Sequence, residues 1–329
     1  MTKILIAESL DEETLHKVAK LENLHISYTA HPDDYIDSNG IFLTYAPDIK
    51  EDRLFEYVKN YDGLVVRPKE VSAKTINAAN KLKIIIRGGA GINSIDINAA
   101  KEKNIIVENT PGQNSVSTAE YAFELIMSLV AKRNILKSHN DSITDCAKDP
   151  EKYRGEELAG KKLAIIGMGN VGLQLAKRAY AFDMEVLYYS RNKKDLSYKH
   201  FNSVDELLSQ GADVVSLHLP LVKETTGFFS ERFFSLMKKD SVLINCARPQ
   251  LIDVAAFKEA LDNKIIASAA IDGDLCLIKK FIEADYANKC IFTHHIADST
   301  KQALEKITKA VLSQLLKFFL KGEVINSVY

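Results

Sequence analysis

Several features are scarce in this chain, and each scarcity excludes something. Its 43 basic and 44 acidic residues leave a formal net charge of -1. No bulk positive field exists to hold nucleic acid or an anionic membrane, and neither is expected as a partner. The four cysteines, Cys146, Cys246, Cys276 and Cys290, are scattered, with no C-x-x-C and no Cys/His pair at ligand spacing. That argues against a disulfide framework and against a metal site. Reduced thiols in a cytoplasmic protein are the expectation. The apolar runs all fall far short of the roughly 20 residues that cross a bilayer. The start, MTKILIAESLDEE, has one short apolar run followed by acids and lacks the shape of a signal peptide. No low-complexity tract or internal repeat interrupts the chain.

What is present suits two ordinary domains. The 329 residues are 46% apolar and 26% charged, which is normal for globular chains but long for one domain. Short β-branched runs alternate with helical stretches. KILIAE, GLVVR, LKIIIRGG and NIIVENTPG read as strands. DEETLHKVAKLEN reads as a helix with Leu15, Val18 and Leu21 on one apolar face. A second series begins at KLAIIGMGNVG and continues through EVLYYS, ADVVSLHLP, SVLINCA, KIIASAAID and CIFTHHI. Alternation of this kind predicts two doubly wound parallel sheets. Between the series, NDSITDCAKDPEKYRGEELAGKK is polar and irregular and reads as a surface connection. The last helix, STKQALEKITKAVLSQLLKFFLKG, is amphipathic. With the chain ending at residue 329, no regulatory ligand module is expected after it.

One motif carries chemistry directly. In KKLAIIGMGNVGLQLAKRAYAF an apolar strand runs into Gly167-Met-Gly169-Asn-Val-Gly172 and a helix follows. A glycine is needed for the tight turn at Gly167, for backbone approach to a pyrophosphate at Gly169, and for close helix–strand packing at Gly172. The helix start then offers unpaired N–H groups to the phosphates. Strand before and helix after are the context that gives this motif weight.

Three further segments stand around this loop in order: GGAGINSIDINAAKEKNIIVENTPGQNSVSTAEYAFELIMSL, ADVVSLHLPLVKETTGFFSERFFSLMKKDSVLINCARPQLIDVAAFKEAL and IFTHHIADST. With the glycine loop they resemble the D-2-hydroxyacid dehydrogenases, including their phosphoglycerate and glyoxylate/hydroxypyruvate branches. The likeness spans nearly the whole chain and is weakest over the first fifty residues. It implies a Rossmann nucleotide-binding domain, residues 112–297, inserted in a flavodoxin-like substrate domain of residues 1–111 plus 298–329. It also implies hydride transfer between NAD(P)H and a small 2-keto acid.

The resemblance also suggests roles, residue by residue. Arg248 in NCAR matches the catalytic arginine, whose guanidinium holds carboxylate and carbonyl in a forked geometry. His295 in THHI matches the proton donor. Gly89, Ala90 and Gly91 match the loop whose amides hold the substrate carboxylate. Arg67 matches a position that touches the distal end of phosphorylated substrates, and a solvated strand-end charge is an equal alternative. Asn170 and Val171 join the three glycines in the cofactor site, with Thr118 and Pro220. Asp272 and the Cys246 carbonyl match the partners of the nicotinamide carboxamide.

Two positions depart from that pattern. The third catalytic residue, a glutamate that keeps the histidine protonated, belongs five positions after Asp272, where this chain has Leu277. Asp274 is a candidate substitute, three residues short in register. Pro249 stands where the pattern has glycine after the arginine, which removes an N–H and restricts φ. At the end of the second strand, LYYSRNKK puts Ser190 and Arg191 where NAD-specific members carry an aspartate, with Lys193 and Lys194 beyond. An arginine there pairs with a ribose 2′-phosphate, so NADP(H) is expected in preference to NAD(H). Two functions stay open: a 2-keto acid reductase using Arg248 and His295, or a catalytically silent NAD(P)-binding sensor or corepressor-like protein. A homodimer is expected, with AEYAFELIMSLV as one candidate face and intradomain core as its alternative use.

Overall fold

The computed structural model describes residues 2–28, 40–131, 155–283, 286 and 289–329. Most of the polar connection, residues 140–154 with Cys146, lies outside them. The chain forms two units, Met1–Asn114 with Ser299–Tyr329, and Ser115–Asp298.

The first unit is built on six parallel strands: β1 (Thr2–Ile6), β2 (His25–Ser27), β3 (Ile41–Tyr45), β4 (Gly63–Val66), β5 (Ile84–Arg87) and β6 (Ile106–Asn109). Their order is β2-β3-β1-β4-β5-β6. Setting β2 aside, this is the flavodoxin-like order, with the winding reversing between β1 and β4. Alternate residues of β1 serve opposite faces. Ile4 and Ile6 pack with Ile307, Val311, Leu312 and Leu315 of the helix Lys301–Lys321. Leu5 packs with Leu64, Ile76, Ile85, Ala99 and Val107 on the other side. A sheet buried on both faces explains why its strands are near-continuous apolar runs. The helix Glu12–Leu21 buries Leu15 and half-buries Val18, but Leu21 is 80% exposed. Residues six apart on a helix lie about 120° apart, so Leu21 has rotated off the stripe, and Ala19, four after Leu15, is buried instead.

The second unit carries β7 (Lys162–Ile166), β8 (Glu185–Tyr189), β9 (Lys199–Phe201), β10 (Val214–Leu217), β11 (Val242–Asn245), β12 (Ser268–Asp272) and β13 (Cys290–Thr293). All are parallel, ordered β9-β8-β7-β10-β11-β12-β13. This is the Rossmann order with one added strand, and it reverses between β7 and β10. The helices Ser115–Val130 and Asn170–Ala181 cover one face through Ala119, Ala122, Ile126, Leu175, Ala176 and Ala179. The apolar residues of AEYAFELIMSLV thus lie largely in the unit's own core. On the other face Phe229, Phe234, Phe257 and Phe281 stack edge-on, at 4.9 Å between Phe229 and Phe234 and 5.3 Å between Phe257 and Phe281. Among the described residues no helix is long and apolar enough to cross a membrane.

Phe257 is fully buried between two other rings. Phe257→Ala is expected to destabilise the protein by about 3–5 kcal/mol, whereas Leu21→Ala changes stability by less than about 0.5 kcal/mol. Urea denaturation of both variants checks the contrast.

Candidate functional site

β7 enters a turn in which three bare positions have different reasons. Gly167 has φ +107°, and a Cβ on it would lie 2.5 Å from the His218 carbonyl oxygen. A Cβ on Gly172 would lie 2.2 Å from the Gly167 oxygen and 3.2 Å from Ile165. At Gly169 nothing stands within 4 Å of the missing Cβ. Gly169 is the N-cap of the helix Asn170–Ala181, and no side chain caps it. The first two glycines are demanded by the protein's own packing. The third leaves open backbone beside a helix start, with Asn170 and Val171 in its first turn, which is what an anionic phosphate needs.

After β8 the chain closes on itself. The Tyr188 hydroxyl accepts from the Lys194 amide at 3.0 Å and donates to its carbonyl at 3.2 Å. Ser190 Oγ donates to the Asn192 carbonyl at 2.7 Å, and the His200 ring lies 3.2 Å from the Ser190 carbonyl. Arg191, Lys193 and Lys194 are left exposed. Among the described residues Arg191 has no salt bridge.

After β10, His218 and Pro220 follow. The His218 Nε2 lies 2.9 Å from Ser216 Oγ, and its amide donates to the Ile166 carbonyl at 2.8 Å, tying β10 to the glycine turn. The residue keeps some accessible surface, yet the atoms packed around the ring desolvate it enough to push its pKa down to about 4. Exposed Pro220 accepts from Thr225 Oγ1 at 2.7 Å.

Beyond β11 a buried amide shapes the turn of Arg248. Asn245 Nδ2 donates to the Arg248 carbonyl at 2.8 Å, and Asn245 Oδ1 accepts from the Ala247 amide at 3.0 Å. Arg248 is extended (φ -149°, ψ 131°), the conformation a residue before proline prefers, and its Nη1 donates to the Ala247 carbonyl at 2.6 Å. Cys246 is buried, and burial pushes its thiol far above the ordinary range; burial likewise raises Cys290, to about 11. Neither thiol has nucleophile character.

The ends of β12 and β13 are joined by carboxylates. Asp272, buried, accepts from Thr293 Oγ1 at 2.7 Å and from the amides of Ile296 and Ala297 at 2.9 and 3.0 Å. Tyr121, whose pKa burial raises against a hydrogen bond with Thr293, reaches the same cluster from the helix that also carries buried Thr118. His295 sits in the turn that Asp272 grips, at φ +48°. Its Nδ1 lies 3.0 Å from Asp274 Oδ1. Leu277 belongs to the short helix Leu275–Ile278, and its amide donates to the Asp274 carbonyl at 2.9 Å.

In the first unit the turn after β5 holds Gly89 at φ +145°, with the Arg87 guanidinium packed where a Cβ would be. The Gly89 amide donates to Thr110 Oγ1 at 2.6 Å, and the Ala90 carbonyl accepts from Asn109 Nδ2 at 2.7 Å. The Gly89 amide is thus already engaged within the protein, at the same turn as Ala90 and Gly91. The Arg67 stem lies against Gly88, at 2.9 Å from the would-be Cβ.

The second unit gathers at one sheet edge the glycine turn, Ser190, Arg191, Pro220, Cys246, Arg248, Asp272 and His295. Arg67 and the Gly89–Gly91 turn share the corresponding edge of the first unit's sheet. Sequence reasoning missed Asn245, Thr293, Tyr121, Thr110 and His218, because each acts on a neighbouring backbone group or side chain and has no motif of its own. Among the described residues no cluster of His, Cys, Asp and Glu is arranged to hold a metal ion.

Residues 125–297 match the family model described as D-isomer specific 2-hydroxyacid dehydrogenase, NAD binding domain. The chain is similar to D-3-phosphoglycerate dehydrogenase of Archaeoglobus fulgidus, at 33% identity over 99% of this chain and 59% of that protein. It is also similar to glyoxylate reductase of Thermococcus litoralis, at 35% identity over 82% of this chain and 84% of that one. It thus spans less than two thirds of the phosphoglycerate dehydrogenases it matches. Among solved structures, the TT0316 protein of Thermus thermophilus superposes with a TM-score of 0.78 at 27% identity, covering 100% of both chains.

Depression of the His218 pKa from 6.5 to about 4 makes stability depend on pH. The unfolded chain takes up this proton first as pH falls, so the contribution is complete above about pH 6.5 and is lost progressively towards pH 4. The ceiling is about 3 kcal/mol, and the residue's partial exposure brings the expected effect to about 1–2 kcal/mol. His218→Asn should flatten this limb relative to the parent protein in urea denaturation between about pH 7 and pH 4.

Proposed function

The chain belongs to the D-isomer specific 2-hydroxyacid dehydrogenase family, and from that premise we propose that it transfers a hydride between a nicotinamide cofactor and a small 2-keto or 2-hydroxy acid. The observation that carries this reading is the meeting, on one sheet edge, of an open glycine turn with Arg248 after β11 and His295 after β13. The cofactor fits the residues present: Gly169 offers bare backbone at an uncapped helix start, where a pyrophosphate is stabilised by N–H groups and the helix dipole. When bound, the nicotinamide supplies or accepts the hydride.

The chain's own groups do the rest. The Arg248 guanidinium, on a turn braced by Asn245, holds the substrate's carboxylate and polarises its carbonyl through charge-assisted hydrogen bonds. His295 gives a proton to the carbonyl oxygen during reduction and takes one from the hydroxyl during oxidation. Ala90 and Gly91 are assigned to the substrate carboxylate and Arg67 to any distal anion. Asp272 already holds three donors. A carboxylate has about four lone-pair sites, so one direction remains for a carboxamide N–H.

We assign the cofactor preference to NADP(H). No carboxylate stands at position 190 to repel a 2′-phosphate, and Arg191 is exposed beside it. The silent-sensor reading has no specific observation in its favour, since a sensor has no need of Arg248 and His295 together.

The test is oxidation of NADPH and NADH, followed by absorbance, with glyoxylate, pyruvate, hydroxypyruvate and 3-phosphohydroxypyruvate. Turnover on at least one, faster with NADPH, is expected, and Arg248→Gln should lower kcat/KM by about 10²–10³. Tight cofactor binding without turnover on any of them would contradict the assignment. The double variant Ser190→Asp, Arg191→Ala should move the preference towards NADH by at least about tenfold, the equivalent of one charge-assisted hydrogen bond; an unchanged ratio would refute the role given to Arg191.

A further inference from the structure

Asp274 is the N-cap residue of the helix Leu275–Ile278, yet its side chain makes no cap hydrogen bond. Elsewhere in the chain aspartates in that position do cap: Asp11 accepts from Thr14, Asp96 from Ala99 and Asp253 from Ala256, at 2.9, 3.0 and 2.9 Å. Such a cap stabilises a helix by about 1 kcal/mol. The Asp274 carboxylate forgoes it and turns to Nδ1 of His295, 3.0 Å away. We infer that Asp274 is the positioning residue of His295: it makes Nδ1 the donor nitrogen and thereby leaves Nε2 to exchange the proton with substrate. The inference rests on the proposed role of His295.

The surroundings divide the labour between two aspartates. The His295 backbone occupies the left-handed region, which non-glycine residues adopt only where the surroundings hold them. Asp272 does the holding, through the next two amides and Thr293. Its oxygens are taken up by those three donors, and Leu277 has no polar atom to offer, so the Nδ1 contact falls to Asp274. The tautomer of a histidine follows from the partner of its other nitrogen, and a carboxylate at Nδ1 selects Nδ1–H.

Pro249 and Gly273 make room for this arrangement. A Cβ on Gly273 would lie 2.2 Å from Pro249 Cγ and 2.6 Å from Cδ. The proline that follows Arg248 therefore requires a bare residue immediately before Asp274, and the two turns fit only as a pair. The Asp274 and His295 side chains are 52% and 31% exposed, so their contact adds little stability, and its consequence is orientation.

The experiment is ¹⁵N NMR of the full-length protein with labelled histidine, recorded at about pH 9, where imidazole rings are ordinarily neutral. The parent protein should show His295 as the Nδ1–H tautomer. Asp274→Ala should convert it to the Nε2–H form that an imidazole without such a partner favours. This readout needs no turnover, so it separates failure of the inference from failure of the proposed reaction. In assays with the best 2-keto acid, Asp274→Ala should lower kcat by about 10–10² with KM within about twofold. Asp274→Ala with Leu277→Glu should recover part of that loss by returning a carboxylate to the ring. An Nε2–H ring in the parent protein, a tautomer unmoved by Asp274→Ala, or an unchanged kcat would each overturn the assignment.

Discussion

Strands that run parallel bring all their carboxyl ends to one edge of a sheet, and every candidate residue of the second unit except Thr118 depends on that constraint. The glycine turn follows β7, Ser190 follows β8, Pro220 β10, Arg248 β11, and His295 β13, while Asp272 closes β12. The reversal between β7 and β10 splits the flanking helices to opposite faces and opens a crevice at that edge, which is where doubly wound folds bind ligands. The first unit repeats the logic, with Arg67 after β4 and the Gly89–Gly91 turn after β5. The buried strands hold these turns, and the turns themselves are free to vary.

That freedom explains how the chain departs from its family without losing the arrangement. Proline after Arg248 would collide with any side chain at position 273, and position 273 is glycine. An apolar residue at 277 leaves the histidine without a carboxylate, and Asp274 turns from its helix to provide one. With glycine at 273 and Asp274 beside the ring, Arg248 stays extended and His295 is held on both its backbone and its ring.

The fold was legible because its signals are periodic and local: apolar runs of strand length, alternating with amphipathic helices, predict parallel sheets, and two sheets are present. Gly167 and Gly172 could be read for the same reason, since crowding in the turn demands them. Leu21 misled because three-residue spacing drifts around a helix. The partner of His295 was legible only in part. The resemblance put a glutamate at position 277 and left Asp274 as a candidate three residues short in register, and the packing of Gly273 against Pro249, 24 residues apart in sequence, has no signal in the chain. Likewise nothing in the sequence says that the Gly89 amide is committed to Thr110, because that hydrogen bond crosses from one strand end to the next.

Direct hydride transfer beside Arg248 and His295 is the reaction proposed for this edge of the sheet. It is tested most directly by running the reduction with a nicotinamide cofactor deuterated at C4 and following the label in the product by NMR and mass spectrometry. One deuterium, bound to C2 of a D-configured 2-hydroxy acid, is expected, with its appearance slowed about 10²–10³-fold in Arg248→Gln. Product carrying solvent hydrogen at C2, or the L-configuration, would contradict it.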